Sequence, residues 1–261
     1  GTGADTLTIT LDGTGDTALA AADIAAVTAI ETIVIGSNVA AGITLNDANT
    51  AAAGALTING TAMTSAALTL DMSNEADGTV TVNAGAGDDA ITGSQSTLGD
   101  VINAGAGDDT ISFATANLTL LDTVAGGAGT DILSMTDAST VVDEDFTLVS
   151  SVETIQQTTA AHNMTLTLGA LSSAAGIATV TGGTGTNSVT VGAGHTADLA
   201  VTLAAGTDTL AAAAYTGALS VTADIDSITS ADTITGGTGA DTLTITLDGT
   251  GDTALAAADI A

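Results

Sequence analysis

Residues 1–25 read GTGADTLTITLDGTGDTALAAADIA, and residues 237–261 repeat that string without a single change. A chain that returns to its own opening after 236 residues is built from recurring units. Such units bury little surface alone and gain a continuous core by stacking on their neighbours. The expected organisation is one tandem repeat unit over 1–236, followed at 237–261 by the start of the next identical copy, as a window on a longer array. A weaker echo runs inside the unit. Ile30-Glu31-Thr32-Ile33 returns as Val152-Glu153-Thr154-Ile155, and Gly54…Thr57-Ile58 returns as Gly176…Thr179-Val180, both 122 residues on. The unit therefore reads as two diverged halves, about 1–118 and 119–236.

A shorter period lies beneath both. Apolar residues alternate with Thr in Leu7-Thr8-Ile9-Thr10-Leu11, Leu56-Thr57-Ile58, Leu68-Thr69-Leu70, Val80-Thr81-Val82, Met164-Thr165-Leu166-Thr167-Leu168 and Leu243-Thr244-Ile245. Period two puts the aliphatics on one face of a strand and Thr on the other. Gly, Asn and Asp separate these short runs, as they do in all-β arrays. Helical periodicity is scarce; Ala18–Ala26 reads equally as one helical turn, a small-residue strand or a loop. The net charge of −30 with few aromatics points toward disorder, but an apolar fraction of 45% and a charged fraction of only 11% do not. The balance favours a folded β protein.

The charge inventory excludes whole classes of function. Thirty acidic residues face no Lys and no Arg. Nucleic-acid binding by phosphate neutralisation is excluded, as is a basic contact with anionic lipid. With no Cys there is no thiol chemistry, disulfide framework or Cys-based zinc site. No apolar stretch reaches the length of a membrane span, so no membrane insertion is expected.

Five segments share one pattern: Ala84–Thr92, Ala104–Ser112, Gly126–Ser134, Gly182–Thr190 and Gly236–Thr244. Their common form is G-G-x-G-x-D-x-U-x, with U a large aliphatic. Ala84 and Ala104 replace the first glycine, and Asn187 replaces the Asp. The glycines permit tight turns whose carbonyls can face inward, the Asp adds a carboxylate, and U enters the next strand. Such turns offer oxygen and no nitrogen or sulfur, the donor set of a hard cation taking six to eight oxygens. Asp89, Asp109 and Asp131 follow one another at 20 and 22 residues, and Asp100 and Asp122 fall between them, 22 apart. This spacing describes a two-sided coil of roughly 20–24 residues per turn, whose ladders would hold such a cation between successive turns. Asp232 precedes Asp241 by nine residues, as Asp100 precedes Asp109; Asp208 follows Asn187 by 21; and Asp5 is the counterpart of Asp241 in the identical opening copy. The expected metal ligands are therefore Asp5, Asp89, Asp100, Asp109, Asp122, Asp131, Asp208, Asp232 and Asp241, with Asp16 and Asp226 in degenerate turns. Residues 154–197 carry no acidic side chain, although the strand pattern continues; this stretch is the candidate contact with another protein or a neighbouring filament.

The nonapeptide resembles the calcium repeat of RTX (repeats-in-toxin) proteins, and the Ile/Val-Glu-Thr-Ile and Asp143-Glu-Asp-Phe-Thr147 segments resemble parts of RTX-containing bacterial surface-layer and adhesin proteins. The resemblance implies a right-handed parallel β-roll or β-helix with calcium-binding turns, secretion by a type I route, and folding on meeting extracellular calcium. The expected function is structural: a repeat of an extracellular fibre, adhesin stalk or surface layer, associating with other copies of itself. The alternative is a surface-binding module, for ice, glycan or a cell-surface ligand, on the same scaffold. No enzymatic role is expected, since His162 and His195 lie outside any recognisable catalytic context and no carboxylate pair stands apart. Phe113, Phe146, Tyr215 and the methionines read as core or end fillers.

Overall fold

The structure is a computed structural model, and it describes residues 3–13, 18–51, 53–157 and 162–246. Alternating aliphatics and Thr make short strands, and every strand pairing among the described residues is parallel. The chain forms two compact units, Gly1–Leu133 with Leu148–Val152, and Ser134–Thr147 with Glu153–Ala261. Each is a parallel β-solenoid, and the turns number about 11 among the described residues.

In the first unit one stack runs Thr6–Ile9, Thr32–Ile35, Ala55–Asn59, Thr79–Asn83, Val101–Ala106, Thr123–Ala128 and Val149–Ser150. The other includes Ala18–Leu19, Ala41–Thr44, Leu68–Asp71, Ala90–Thr92 and Thr110–Phe113. The chain visits the stacks alternately. Register places Leu7, Ile33, Ile58, Val82, Ile102, Val124 and Val149 in one column. Leu19, Ile43, Leu70, Ile91 and Ile111 form another. From Ile33 to Val124 and from Ile43 to Ile111 these side chains are buried, while their strand neighbours alternate outward, as period two requires.

The second unit repeats the arrangement. Ser139–Val141, Met164–Leu168, Asn187–Val191, Thr209–Ala211 and Thr233–Thr235 form one stack; Thr154–Gln157, Thr179–Thr181, Leu199–Leu203, Leu219–Asp224 and Thr242–Thr246 lie in the other. Phe113, Phe146, Tyr215 and the methionines Met63, Met72, Met135 and Met164 are all buried, as core fillers should be.

One local feature differs from the sequence reading. The strand pattern expected across 154–197 is interrupted by an α-helix, Ala170–Ala175. Its Ala-Leu-Ser-Ser-Ala-Ala run is helix-compatible, it stops at Gly176 with φ +108°, and its exposed N–H groups are met from 26 residues upstream. The Asp143 carboxylate accepts hydrogen bonds from Gly169 (2.7 Å), Ser172 (2.9 Å) and Leu171 (3.1 Å). A long-range cap of this kind leaves no local signal. Ala18–Ala26 contains no helix: Ala18–Leu19 is a strand and turns follow it.

Candidate metal-binding turns

The glycine turns stack directly over one another. Gly105, Gly107, Gly127 and Gly129 have φ of +119°, +125°, +119° and +143°, a region that favours glycine. A Cβ on Gly105 would overlap the carbonyl oxygen of Gly85, and one on Gly127 the carbonyl of Gly105. Gly107 and Gly129 meet the carbonyls of Gly87 and Gly107 in the same way. Two columns of peptide oxygens thus run from turn to turn, and a side chain at these positions would break them. Ala84 and Ala104 stand in place of the first glycine; both are buried, and neither has a positive φ.

The aspartates also point inward. Asp89, Asp109 and Asp131 are 2%, 0% and 0% exposed. The Asp89 N–H donates to Asp109 Oδ1 (2.7 Å), and the Asp109 N–H donates to Asp131 Oδ1 (2.9 Å). The ladder continues below: Asp89 Oδ1 accepts from the Leu68 N–H (2.6 Å) and its Oδ2 from the Gly85 N–H (3.1 Å). A second ladder joins the Asp100 N–H to Asp122 Oδ1 (2.7 Å). Asp100 itself accepts from Ser94 N–H (2.9 Å) and Val80 N–H (3.3 Å), and Asp122 from the N–H and hydroxyl of Thr119 (2.6 and 2.9 Å). The 20- and 22-residue spacing therefore brings together the two groups it suggested.

In the second unit the Asn187 N–H donates to Asp208 Oδ1 (2.9 Å), and the Asp208 N–H to Asp232 Oδ1 (2.6 Å). Asn187 shows how the ladder is closed without a charge. Its Nδ2 donates to the carbonyls of Gly183 (2.8 Å) and Gly185 (3.1 Å) and to Asp208 Oδ1 (2.9 Å). An amide nitrogen here occupies the mouth of the glycine turn. Asp241 accepts from Gly237 N–H (2.8 Å) and Leu219 N–H (3.2 Å). Asp5 is half-buried, and its N–H donates to Glu31 Oε2 (2.6 Å). Asp226 lies in an exposed turn where its N–H donates to Asp224 Oδ1 (2.9 Å); Asp16, and residues 247–261 of the second copy, lie outside the described residues.

Sequence reasoning missed an outer row beside the inner ladder. Asp108 N–H donates to Asp88 Oδ1 (2.9 Å) and Thr130 N–H to Asp108 Oδ1 (2.8 Å). The doubled Asp-Asp at 88–89 and 108–109 was its signal.

Burial without basic neighbours perturbs these acids. Desolvation pushes the Asp109 carboxyl up to about 7, against the lowering effect of the Asp89 N–H and helped by the charges of Asp89, Asp131 and Asp88. Burial likewise raises Asp89, Asp100 and Asp208. Asp109 Oδ2 and Asp208 Oδ2 are buried and accept no hydrogen bond. A buried carboxylate oxygen without a hydrogen-bond partner, in a chain with no Lys or Arg, is a donor suited to a hard cation. Asp109 and Asp208 each spend one oxygen on a backbone N–H and would offer a cation the other; Asp89, Asp100 and Asp122 use both oxygens as acceptors and would have to give up a hydrogen bond to bind one.

The histidines sit elsewhere. His195 is fully buried, with Nδ1 3.3 Å from the Ser172 hydroxyl and its ring centroid 5.9 Å from that of Tyr215. Desolvation holds its pKa below the ordinary value. Ser172 is equally buried, and its hydroxyl donates to the Gly169 carbonyl (3.1 Å). This is a packed core contact closed to substrate.

One family description, the RTX calcium-binding nonapeptide repeat (4 copies), matches residues 77–96, 98–114 and 229–244. Neither the curated proteins nor the solved structures give a match. The matched segments contain Asp89, Asp100, Asp109, Asp232 and Asp241. Asp131 and Asn187 lie outside them, yet their backbones and carboxyl or amide groups continue the same ladders. Because the matched turns are the ones that stack into the carboxylate ladders, sequence match and geometry describe a single feature: the chain carries RTX calcium-binding nonapeptide repeats.

Proposed function

We propose that this chain is a calcium-gated structural repeat of an extracellular bacterial fibre, adhesin stalk or surface layer. The observation that carries the reading is the inner Asp ladder: fully buried carboxylates, stacked turn on turn, in a chain with no Lys or Arg to neutralise them. Such a ladder opposes folding when ionised and favours it when a divalent ion enters. The calcium-poor cytosol would then keep the chain unfolded for type I export, and extracellular calcium would fold and stiffen it. Asp89, Asp109 and Asp131 are the ligands of one column, Asp100 and Asp122 of the second, and Asp208, Asp232, Asp241 and Asp5 those of the sparser turns. Calcium, if bound, would supply charge neutralisation and crosslink successive turns through the ladder carboxylates and glycine carbonyls.

The partners in this reading are other copies, linked in tandem or side by side. Large apolar side chains are exposed at Leu98, Leu120, Leu121 and Leu148 of the first unit. Among the described residues, none is exposed in the acid-free stretch 154–197. The leucines are therefore the better-supported contact. No described helix is long and apolar enough to cross a membrane.

Far-UV circular dichroism during a calcium titration, with magnesium and EDTA controls, tests the reading. Strand signal should develop at about 10⁻⁴–10⁻³ M calcium. Full strand content in EDTA at pH 8 would sink it.

One observation favours the alternative of a surface-binding module. In the second unit Thr181, Thr202, Thr222 and Thr244 form an unbroken row over four turns, beside Thr179, Ala200, Ser220 and Thr242. Strand geometry spaces such a lattice about 4.8 Å by about 6.7 Å. Loops of unequal length hide this register in the sequence. Inhibition of ice recrystallisation by the folded chain, abolished by Thr202→Tyr with Thr222→Tyr, is the result that would support it.

A further inference from the structure

Outside the nonapeptide turns, the first unit gathers three carboxylates that no sequence motif connects. Asp47 opens the short 3-10 helix Asp47–Asn49. Glu75 and Asp77 lie one coil further on, between the strands Leu68–Asp71 and Thr79–Asn83. One oxygen of each lies within 4.8 Å of one from each of the others. Asp47 and Asp77 are exposed, whereas Glu75 is 0% exposed.

The backbone holds these groups in place. Glu75 Oε1 accepts from Gly78 N–H (2.8 Å) and Asp77 N–H (3.2 Å), and Asp47 Oδ1 accepts from Ala76 N–H (3.0 Å). That leaves Glu75 Oε2 buried with no hydrogen-bond partner. The Thr50 hydroxyl is a second buried oxygen without a partner, and Thr50 is 4% exposed. Both residues border Gly78: a Cβ there would lie 2.8 Å from Thr50 Cβ and 3.3 Å from Glu75 Oε1. A buried carboxylate oxygen without a donor costs several kcal/mol of desolvation, and Asp47 and Asp77 add like charge beside it.

We propose that Asp47, Glu75 and Asp77 form a second class of divalent-cation site, separate from the nonapeptide ladders, that takes calcium and ties the coil of Asp47 to the coil of Glu75. The donors are all oxygens, which selects a hard cation. They come from a 3-10 turn and a loop, so the geometry is irregular, which suits calcium better than the octahedral demand of magnesium. Asp47 and Glu75 lie outside the segments that match the RTX repeat, and Asp77 is the first residue of one. The G-G-x-G-x-D pattern is absent here.

The test is a calcium titration of the full chain followed by amide NMR, with bound calcium counted by equilibrium dialysis. The amides of Ala76 and Gly78 report on this site; those of Asp89 and Asp109 report on the ladder. The expected result is that Ala76 and Gly78 shift on titration in the wild-type chain. In Asp77→Asn, an exposed change that spares the core, these shifts weaken about tenfold or more in calcium affinity, since affinity follows ligand charge. The Asp89 and Asp109 amides still titrate as in wild type. Glu75→Gln removes one bound ion. If Asp89 and Asp109 respond while Ala76 and Gly78 stay still, the proposal is wrong and the ladder reading stands. If Glu75→Gln leaves the bound-calcium count unchanged, Glu75 holds no ion and the proposal is also overturned.

Discussion

Asp109→Asn should stabilise the protein without calcium and destabilise it with calcium. In the folded chain the Asp109 carboxyl is pushed up to about 7, from an ordinary 3.8, by burial and by the neighbouring Asp charges. The folded state therefore holds this proton more tightly than the unfolded state does. Its contribution is intact below about pH 4 and is lost as pH rises to about 7. At about 1.4 kcal/mol per unit, the ceiling on that loss is about 4 kcal/mol, and water entering the turn trims it to about 2–4 kcal/mol. An Asn at 109 has a ready geometry in Asn187, whose Nδ2 donates to the carbonyls of Gly183 and Gly185. The corresponding groups beside residue 109 are the carbonyls of Gly105 and Gly107, and Oδ1 still accepts the Asp89 N–H. Urea unfolding followed by circular dichroism is the assay, because the chain has no Trp. In EDTA at pH 8, where wild type is largely unfolded, the variant should show the larger folded fraction, its folding equilibrium shifted by about 2–4 kcal/mol; the two should converge within about 1 kcal/mol near pH 4, and saturating calcium should reverse the order. An Asp109→Asn chain that is the less stable one in EDTA at pH 8 would refute the argument that the ladder stores uncompensated charge.

Gly127→Ala combines a φ of +119° with overlap of the Gly105 carbonyl and should lose about 2–4 kcal/mol by thermal unfolding; Gly3→Ala, with nothing within 4 Å, should change stability by less than about 0.5 kcal/mol. Asp143→Ala removes three hydrogen bonds to the start of the helix Ala170–Ala175 and should lose about 1–2 kcal/mol at pH 7. Burial raises the Asp143 carboxyl, but the N–H groups of Ser172, Leu171 and Gly169 outweigh it and hold it below its ordinary value. Its contribution is thus present above the ordinary carboxylate range and fades in acid, so wild type and variant should converge as pH falls below about 4. Phe113→Ala empties a fully buried site packed over Gly93 and should lose about 3–5 kcal/mol in calcium; a loss under about 1 kcal/mol would mean that the ring does not support the core.

Sequence alone determined the class of fold. Alternation in Leu56-Thr57-Ile58 or Val80-Thr81-Val82 fixes which side chains turn inward, because a strand has period two whatever surrounds it. The 20- and 22-residue intervals from Asp89 to Asp131 specify the stacking, since a coil that places like turns over one another must return at nearly constant length, with loops absorbing a residue or two. The absence of Lys and Arg settles that no such cation answers these carboxylates. Tertiary structure decided what depends on contacts between distant coils. The cap from Asp143 to the helix Ala170–Ala175 spans 26 residues, and the meeting of Asp47 with Glu75 spans 28. Neither has a local signature, because both arise where loops of different length come to lie side by side. The same is true of the Thr row from Thr181 to Thr244, which register creates and linear spacing conceals. The one-dimensional pattern sets the strands and turns; only the stacking of whole coils determines which oxygens end up sharing buried space.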